Sequence, residues 1–163
     1  VANLMTADEI KVIVSPVVAL DPSFFSTSIQ YTEDTVISCI LTAGYYADLV
    51  AKVALLPGTP LSANDQAVYD IVVNAEAYAV AFEGYSKDLE RKTNNQGIME
   101  NHTQWSKSAA ATSAKRILAV IKQREFDYCL QLGNFLIDNA ATYPLFVEDD
   151  IIYEPNFRRF FPI

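Results

Sequence analysis

The chain has 163 residues, 51% hydrophobic and 20% charged, which is one domain's worth of sequence with enough apolar surface to offset the entropy of ordering it; global disorder is excluded. Twelve Lys and Arg against twenty Asp and Glu leave a net charge of −8, a balance that repels phosphate backbones and disfavours nucleic-acid recognition through a basic face. No apolar run approaches the roughly 18–20 residues that cross a bilayer. Val1 to Leu20 carries no basic stretch ahead of its apolar residues and is interrupted by Lys11, Ser15 and Pro16, so neither a membrane span nor a signal peptide is expected.

Thr6-Ala7-Asp8-Glu9 reads as a capping box that opens a short helix to about Val14, stopped by Pro16. Asp21-Pro22 places Pro at the first position of another short helix, running toward Ile29. Thr32, followed by Glu33 and Asp34 in favourable positions against the helix dipole, predicts the next start. From there Val36, Ile37, Ile40, Leu41, Gly44, Ala47, Ala51 and Leu55 make one apolar stripe, ended by Leu56-Pro57-Gly58-Thr59-Pro60.

Ser62 with Asp65 marks a further N-terminus, and Val68, Ile71, Val72, Ala75, Tyr78, Ala79 and Phe82 carry its stripe toward Leu89. From Glu90 to Lys107 helical periodicity fails, and Thr93-Asn94-Asn95-Gln96-Gly97 supplies turn residues, which predicts a protruding loop or β-hairpin arm. Ala114, Ile117, Leu118, Ile121, Tyr128, Leu132, Phe135 and Leu136 then define a long helix to about Asp138. Beyond Tyr143-Pro144 the chain is too aromatic for ordinary disorder and too rich in Pro for a long helix. Residues 147–163 are therefore read as an extended C-terminal arm on a helical unit spanning 1–146.

The residues offer little chemistry. A lone histidine, His102, with Met99 three positions before it, supplies no zinc or di-iron set. The glycines at 44, 58, 84, 97 and 133 are too scattered to cradle a phosphate, and no serine sits in a nucleophile-elbow context. Glu148, Asp149 and Asp150 are adjacent acids without the separate environments that divide acid from base roles; a solvated tail, or one that meets a basic partner, is the simpler account. No cofactor, metal or catalytic residue is expected. Cys39 and Cys129 sit among apolar residues and read as small hydrophobes in a reducing compartment. Asn101-His102-Thr103 matches a glycosylation sequon, a coincidence without a signal peptide. Lys107, Lys115, Arg116, Lys122 and Arg124 form one basic stretch, for which solvated helix charges are the simpler account.

What remains are contact residues. Asn95, Gln96, Gly97 and Ile98 at the tip of the expected arm and Trp105 at its edge are candidate interface positions, although Trp105 would equally close the loop base against the core. Tyr153, Phe157, Arg158, Arg159, Phe160 and Phe161 in the tail have the aromatic and Arg composition of interface hot spots.

The order of these features resembles a known family. A Thr-x-x-Glu helix comes first, then a long helix followed by Leu55-Leu56-Pro57, a Ser-initiated helix rich in Ala and Tyr, and Thr93-Asn94-Asn95-Gln96-Gly97-Ile98. A long helix ending Phe135-Leu136-Ile137-Asp138-Asn139 and closed by Tyr143-Pro144 completes it. From Leu4 to about Phe146 this is similar to the small helical head-to-tail connectors (adaptor or head-completion proteins) of tailed bacteriophages, particularly a neck family from phages of Bacteroidetes hosts. The resemblance implies an all-α bundle assembled as a ring, commonly of twelve copies, in the virion neck. Its partners would be further copies of itself, the portal protein and other neck or tail proteins, with DNA passing through the bore without sequence-specific binding and no membrane involved. Assembly would take place in the host bacterial cytoplasm. Residues 147–163 lie outside the resemblance, and an adaptor that recruits a partner protein through that aromatic tail is the alternative reading.

Overall fold

The computed structural model describes residues 3–15, 17, 22–95 and 104–146 of the chain, and among these every regular element is helical and none is a strand. The fold is all-α. Helix α1 spans Ala7–Val14, and its start is the expected capping box: Thr6 Oγ1 accepts the Glu9 amide at 3.3 Å and Glu9 Oε2 accepts the Thr6 amide at 2.7 Å. Helix α2, Pro22–Ser26, opens on Pro as predicted.

The next start differs from expectation. Helix α3 covers Ile29–Thr32, so Thr32 is a helical interior residue that caps nothing. Glu33–Ile37 then form a π-helical turn leading into α4, Ser38–Leu41. The predicted stripe also breaks. Thr42 takes φ 64° and ψ 149°, and the axis turns by 117° before α5, Ala43–Val53. That turn shifts the buried face by one position. Tyr45 and Leu49 enter the core, whereas Gly44, Ala47, Ala51 and Leu55, which continue the Ile37–Leu41 stripe on paper, face solvent. A single residue outside helical dihedrals is enough to reset the phase, because side-chain direction follows backbone rotation.

Helix α6, Ala63–Asn95, is the axis of the bundle: α1, α2, α3, the π turn and α7 all pack on it. Its middle, Ala75 to Ala81, is buried on every side, and the alanines at 75, 77, 79 and 81 let neighbouring helices approach closely. At its start Asp65 accepts the Ser62 hydroxyl at 2.7 Å and Ser62 Oγ accepts the Asp65 amide at 3.1 Å, the expected N-terminus. Lys52 bridges Asp48 at 2.6 Å and Asp65 at 3.0 Å and so ties α5 to α6.

Helix α7, Gln104–Asp138, is longer at its beginning than periodicity predicted. Together with the extension of α6 to Asn95, this overturns the loop or β-hairpin arm over 90–107 at both its flanks, since residues 90–95 and 104–107 are helical. The reason is that an apolar stripe and a helix end for different causes. Glu90, Arg91 and Lys92 prolong a helix by propensity after the apolar stripe has ended in the sequence, and the Ala109-Ala110-Ala111 run does the same for α7. Only residues 96–103 separate the two helices, and these, like the arm 147–163, lie outside the described residues.

After α7 a short turn at Ala140–Thr142 leads into a clasp. The Tyr143 hydroxyl donates to the Asn64 carbonyl at 3.2 Å, and its ring sits 5.6 Å from Tyr45 and 6.1 Å from Phe135. The Thr42 hydroxyl donates to the Leu145 carbonyl at 3.2 Å, so the strained bend and the chain's return are fastened to each other. Buried residues from Leu4 to Phe146 form one core. No single helix among the described residues is long and apolar enough to cross a membrane.

Candidate functional site

The two faces of α7 have opposite characters. Ile121, Cys129, Leu132 and Leu136 are buried toward α6, while Val120, Phe126, Leu130 and Ile137 on the outward side are 37–45% exposed. With Leu145 these make five of the nine large exposed hydrophobics among the described residues, concentrated on one helix and the turn that follows it. A shallow groove of about 530 Å³ runs along the same helix, lined by Val120, Gln123, Arg124, Asp127, Tyr128 and Gln131. Its rim is held in place: Arg124 donates to the Tyr78 hydroxyl at 3.1 Å with its guanidinium 5.5 Å from that ring, and Tyr78 stacks on Tyr128 at 5.6 Å and 11°. Of the four exposed apolar side chains Val120 lines this groove, beside a braced Arg and a stacked Tyr pair, a composition found at protein contact surfaces.

The basic stretch splits under this geometry. Lys122, half-buried, lies 5.9 Å from the Phe82 ring, and Arg124, though exposed, leans on Tyr78, so both touch the α6–α7 seam; Lys115 and Arg116 are exposed, and the side chain of Lys107 lies outside the described residues. Solvated helix charge accounts for Lys115 and Arg116.

Of the contact residues read from the sequence, Asn95 is the last residue of α6 and Trp105 lies in the first turn of α7. Both stand on helical backbone where an arm was expected. Gln96, Gly97, Ile98, Tyr153, Phe157, Arg158, Arg159, Phe160 and Phe161 are outside the described residues, as are His102 and the acids at 148–150.

Three buried glutamates escaped the sequence reading. Glu33 and Glu76 are fully buried and Glu125 is 7% exposed. Glu33 uses both oxygens, Oε1 accepting the Leu4 amide at 2.7 Å and Oε2 the Tyr46 hydroxyl at 2.7 Å. Burial, with help from the Glu33 hydrogen bond and charge, pushes the Tyr46 phenol up. Glu125 sits in the α6–α7 seam with Oε2 bare. Burial first, and the Glu83 carboxylate second, push its carboxyl up to about 7, against a smaller opposing pull from Lys122. Asp65 goes the other way: burial would raise its carboxyl, but the Ser62 hydroxyl and the Lys52 ammonium outweigh burial and hold it below the usual range. The signal for the three glutamates was present in the spacing. Glu33 lies four residues from Ile29 and from Ile37, Glu76 four from Val72 and from Val80, and Glu125 four from Ile121 and from Cys129, so each occupies an apolar register.

Among the described residues no three of His, Cys, Asp and Glu converge where a metal ion could sit. Residues 37–151 match the sequence pattern of DUF6712, described as a family of unknown function. No curated protein and no solved structure matches the chain.

Proposed function

The chain belongs to the DUF6712 family, and we propose that it is a non-enzymatic structural protein of a tailed phage, a neck component that assembles as a ring between the portal and the downstream tail parts. DNA passes through that ring, in this reading, without sequence-specific contact, and the ring is built in the host bacterial cytoplasm. The order of motifs from Leu4 to Phe146 suggests the class. The observation that carries the contact role is the outward side of α7, where Val120, Phe126, Leu130 and Ile137 stay exposed although the same helix has a well-buried opposite face. A closed ring joins one surface of each subunit to a different surface of its neighbour. An outward apolar stripe on a long helix suits one half of such a contact. A net charge of −8 suits a channel through which DNA slides without sticking.

The test is native mass spectrometry and negative-stain microscopy of the purified chain, alone and mixed with the portal protein of the same phage. Rings of uniform copy number, or rings that form on the portal, are expected. A chain that stays monomeric at high concentration and never associates with the portal overturns the reading.

A further inference from the structure

Glu76 is a carboxyl at the centre of the bundle axis, fully buried, and neither of its oxygens has a donor among the described residues. Its neighbour is the Glu33 carboxyl, whose own oxygens are already committed to the Leu4 amide and the Tyr46 hydroxyl. Two carboxyl groups in contact make a hydrogen bond only if a proton lies between them, because an ionised carboxylate accepts and never donates. The bare oxygens of Glu76 and its contact with Glu33 are therefore accounted for together by one proton.

We infer that Glu33 and Glu76 form a proton-operated latch for the N-terminal segment: with the proton in place residues 4–14 are fastened to the bundle, and its removal releases them. Glu76 is the donor and Glu33 the acceptor. The segment is fastened at this point. Leu4 gives its amide to Glu33, its carbonyl accepts the Tyr69 hydroxyl at 3.2 Å, and Leu4, Met5, Ile10 and Val14 are all buried. A second negative charge beside Glu33 would repel the group that holds Leu4.

Among the described residues no cation pairs with either carboxyl. Around the pair stand Glu9 from α1, Asp34 from the π turn, Tyr46 from α5 and Tyr69 from α6. The α2 sequence Pro-Ser-Phe-Phe-Ser brings no titratable group. From α7 the facing cations Lys122 and Arg124 lie over Phe82 and Tyr78. Burial first, then the Glu33 and Glu9 carboxylates, push Glu76 well above the ordinary carboxyl range. The latch is thus closed while Glu76 keeps its proton and opens as pH rises through the raised value. The π turn that carries Glu33 holds an extra residue in its backbone loop, a geometry that marks functional positions in helices.

Hydrogen exchange of the full chain, corrected for the intrinsic rate and followed from mildly acidic to alkaline pH, tests this. Protection of the Leu4–Val14 amides should be lost at alkaline pH while the α6–α7 amides keep theirs. In Glu76→Gln, which cannot ionise and still donates to Glu33, the loss should disappear or move by more than about one pH unit. Infrared spectroscopy of the unaltered chain gives a reading that does not depend on the variant folding. A protonated carboxylic acid band should persist above the ordinary carboxyl range and should vanish together with the segment's protection. Absence of that band, release of the segment only with the whole bundle, or an unchanged release in a folded Glu76→Gln overturns the latch.

Discussion

Helices α6 and α7 have nearly equal lengths, 33 and 35 residues, and lie against each other, yet they are built to different ends. From Ala75 to Ala81 α6 has no solvent side at all, so its residues are small or fitted to neighbours on every flank. α7 buries one face and leaves Val120, Phe126, Leu130 and Ile137 open on the other. Equal length and shared packing do not imply equal roles: substitutions around α6 report on the stability of the unit, and substitutions on the outer side of α7 report on what the unit touches.

The largest expected effect lies where α7 meets α6. Leu132→Ala removes a fully buried side chain and should cost roughly 2–5 kcal/mol, read as a drop in the denaturation midpoint with an unchanged slope. If the cost were below about 0.5 kcal/mol, the seam would be loosely packed and the contrast between the two faces would fail.

Glu125 sharpens the comparison through pH. Its folded value is raised to about 7, so its contribution to stability is full below the unfolded value near 4.5 and is lost as pH rises through about 7. Glu125→Gln should flatten that decline and leave the variant more stable than the parent above neutral pH, by at most about 3 kcal/mol. Chemical denaturation at pH values on either side of the window measures it. A variant less stable than the parent at both ends would show that the carboxylate has a partner in the seam.

The bend at Thr42 predicts an inverted ranking. Thr42→Ala keeps a side chain at φ 64° and loses the bond to Leu145, whereas Thr42→Gly relieves the strain. The Gly variant should be the more stable of the two by about 1–3 kcal/mol, opposite to the usual helix preference, and thermal denaturation decides it. Smallest in the isolated subunit should be Phe126→Ser with Leu130→Ser. Both residues are 37% exposed, so about 1 kcal/mol per side chain is expected for the folded chain together with loss of self-association by native mass spectrometry. Assembly that survives the pair would move the contact surface away from this face.

Reciprocal capping pairs were legible in the sequence, since Thr6 with Glu9 and Ser62 with Asp65 need only their own spacing to act, whereas Thr32, read as a cap from its own type and the acids after it, lies inside a helix. Stripes were legible as far as the backbone stayed helical. They misled after Thr42, where nothing in Leu41-Thr42-Ala43 announces a positive φ, and at 90–107, where periodicity ended before the helix did. The buried glutamates were hidden for a different reason. An acid in an apolar register is ordinarily a boundary residue, and for Glu33 only the tertiary arrangement, which brings the Leu4 amide and the Tyr46 hydroxyl to its two oxygens, makes burial tolerable. Of the contact surface, the sequence offered the composition of α7 but not which of its faces α6 would leave open.

The clasp at Tyr143–Phe146 has a kinetic meaning. Its two anchors join residues 79 and 103 positions apart, Tyr143 to Asn64 and Thr42 to Leu145. Closing such distant contacts before α6 and α7 are paired would cost loop entropy with nothing to offset it. The α6–α7 hairpin shortens that search by delivering Tyr143 to the region of Tyr45. The clasp is therefore expected to close after α6 and α7 have paired, so that the bend at Thr42 gains its bond to Leu145 only when the far end of the chain has arrived.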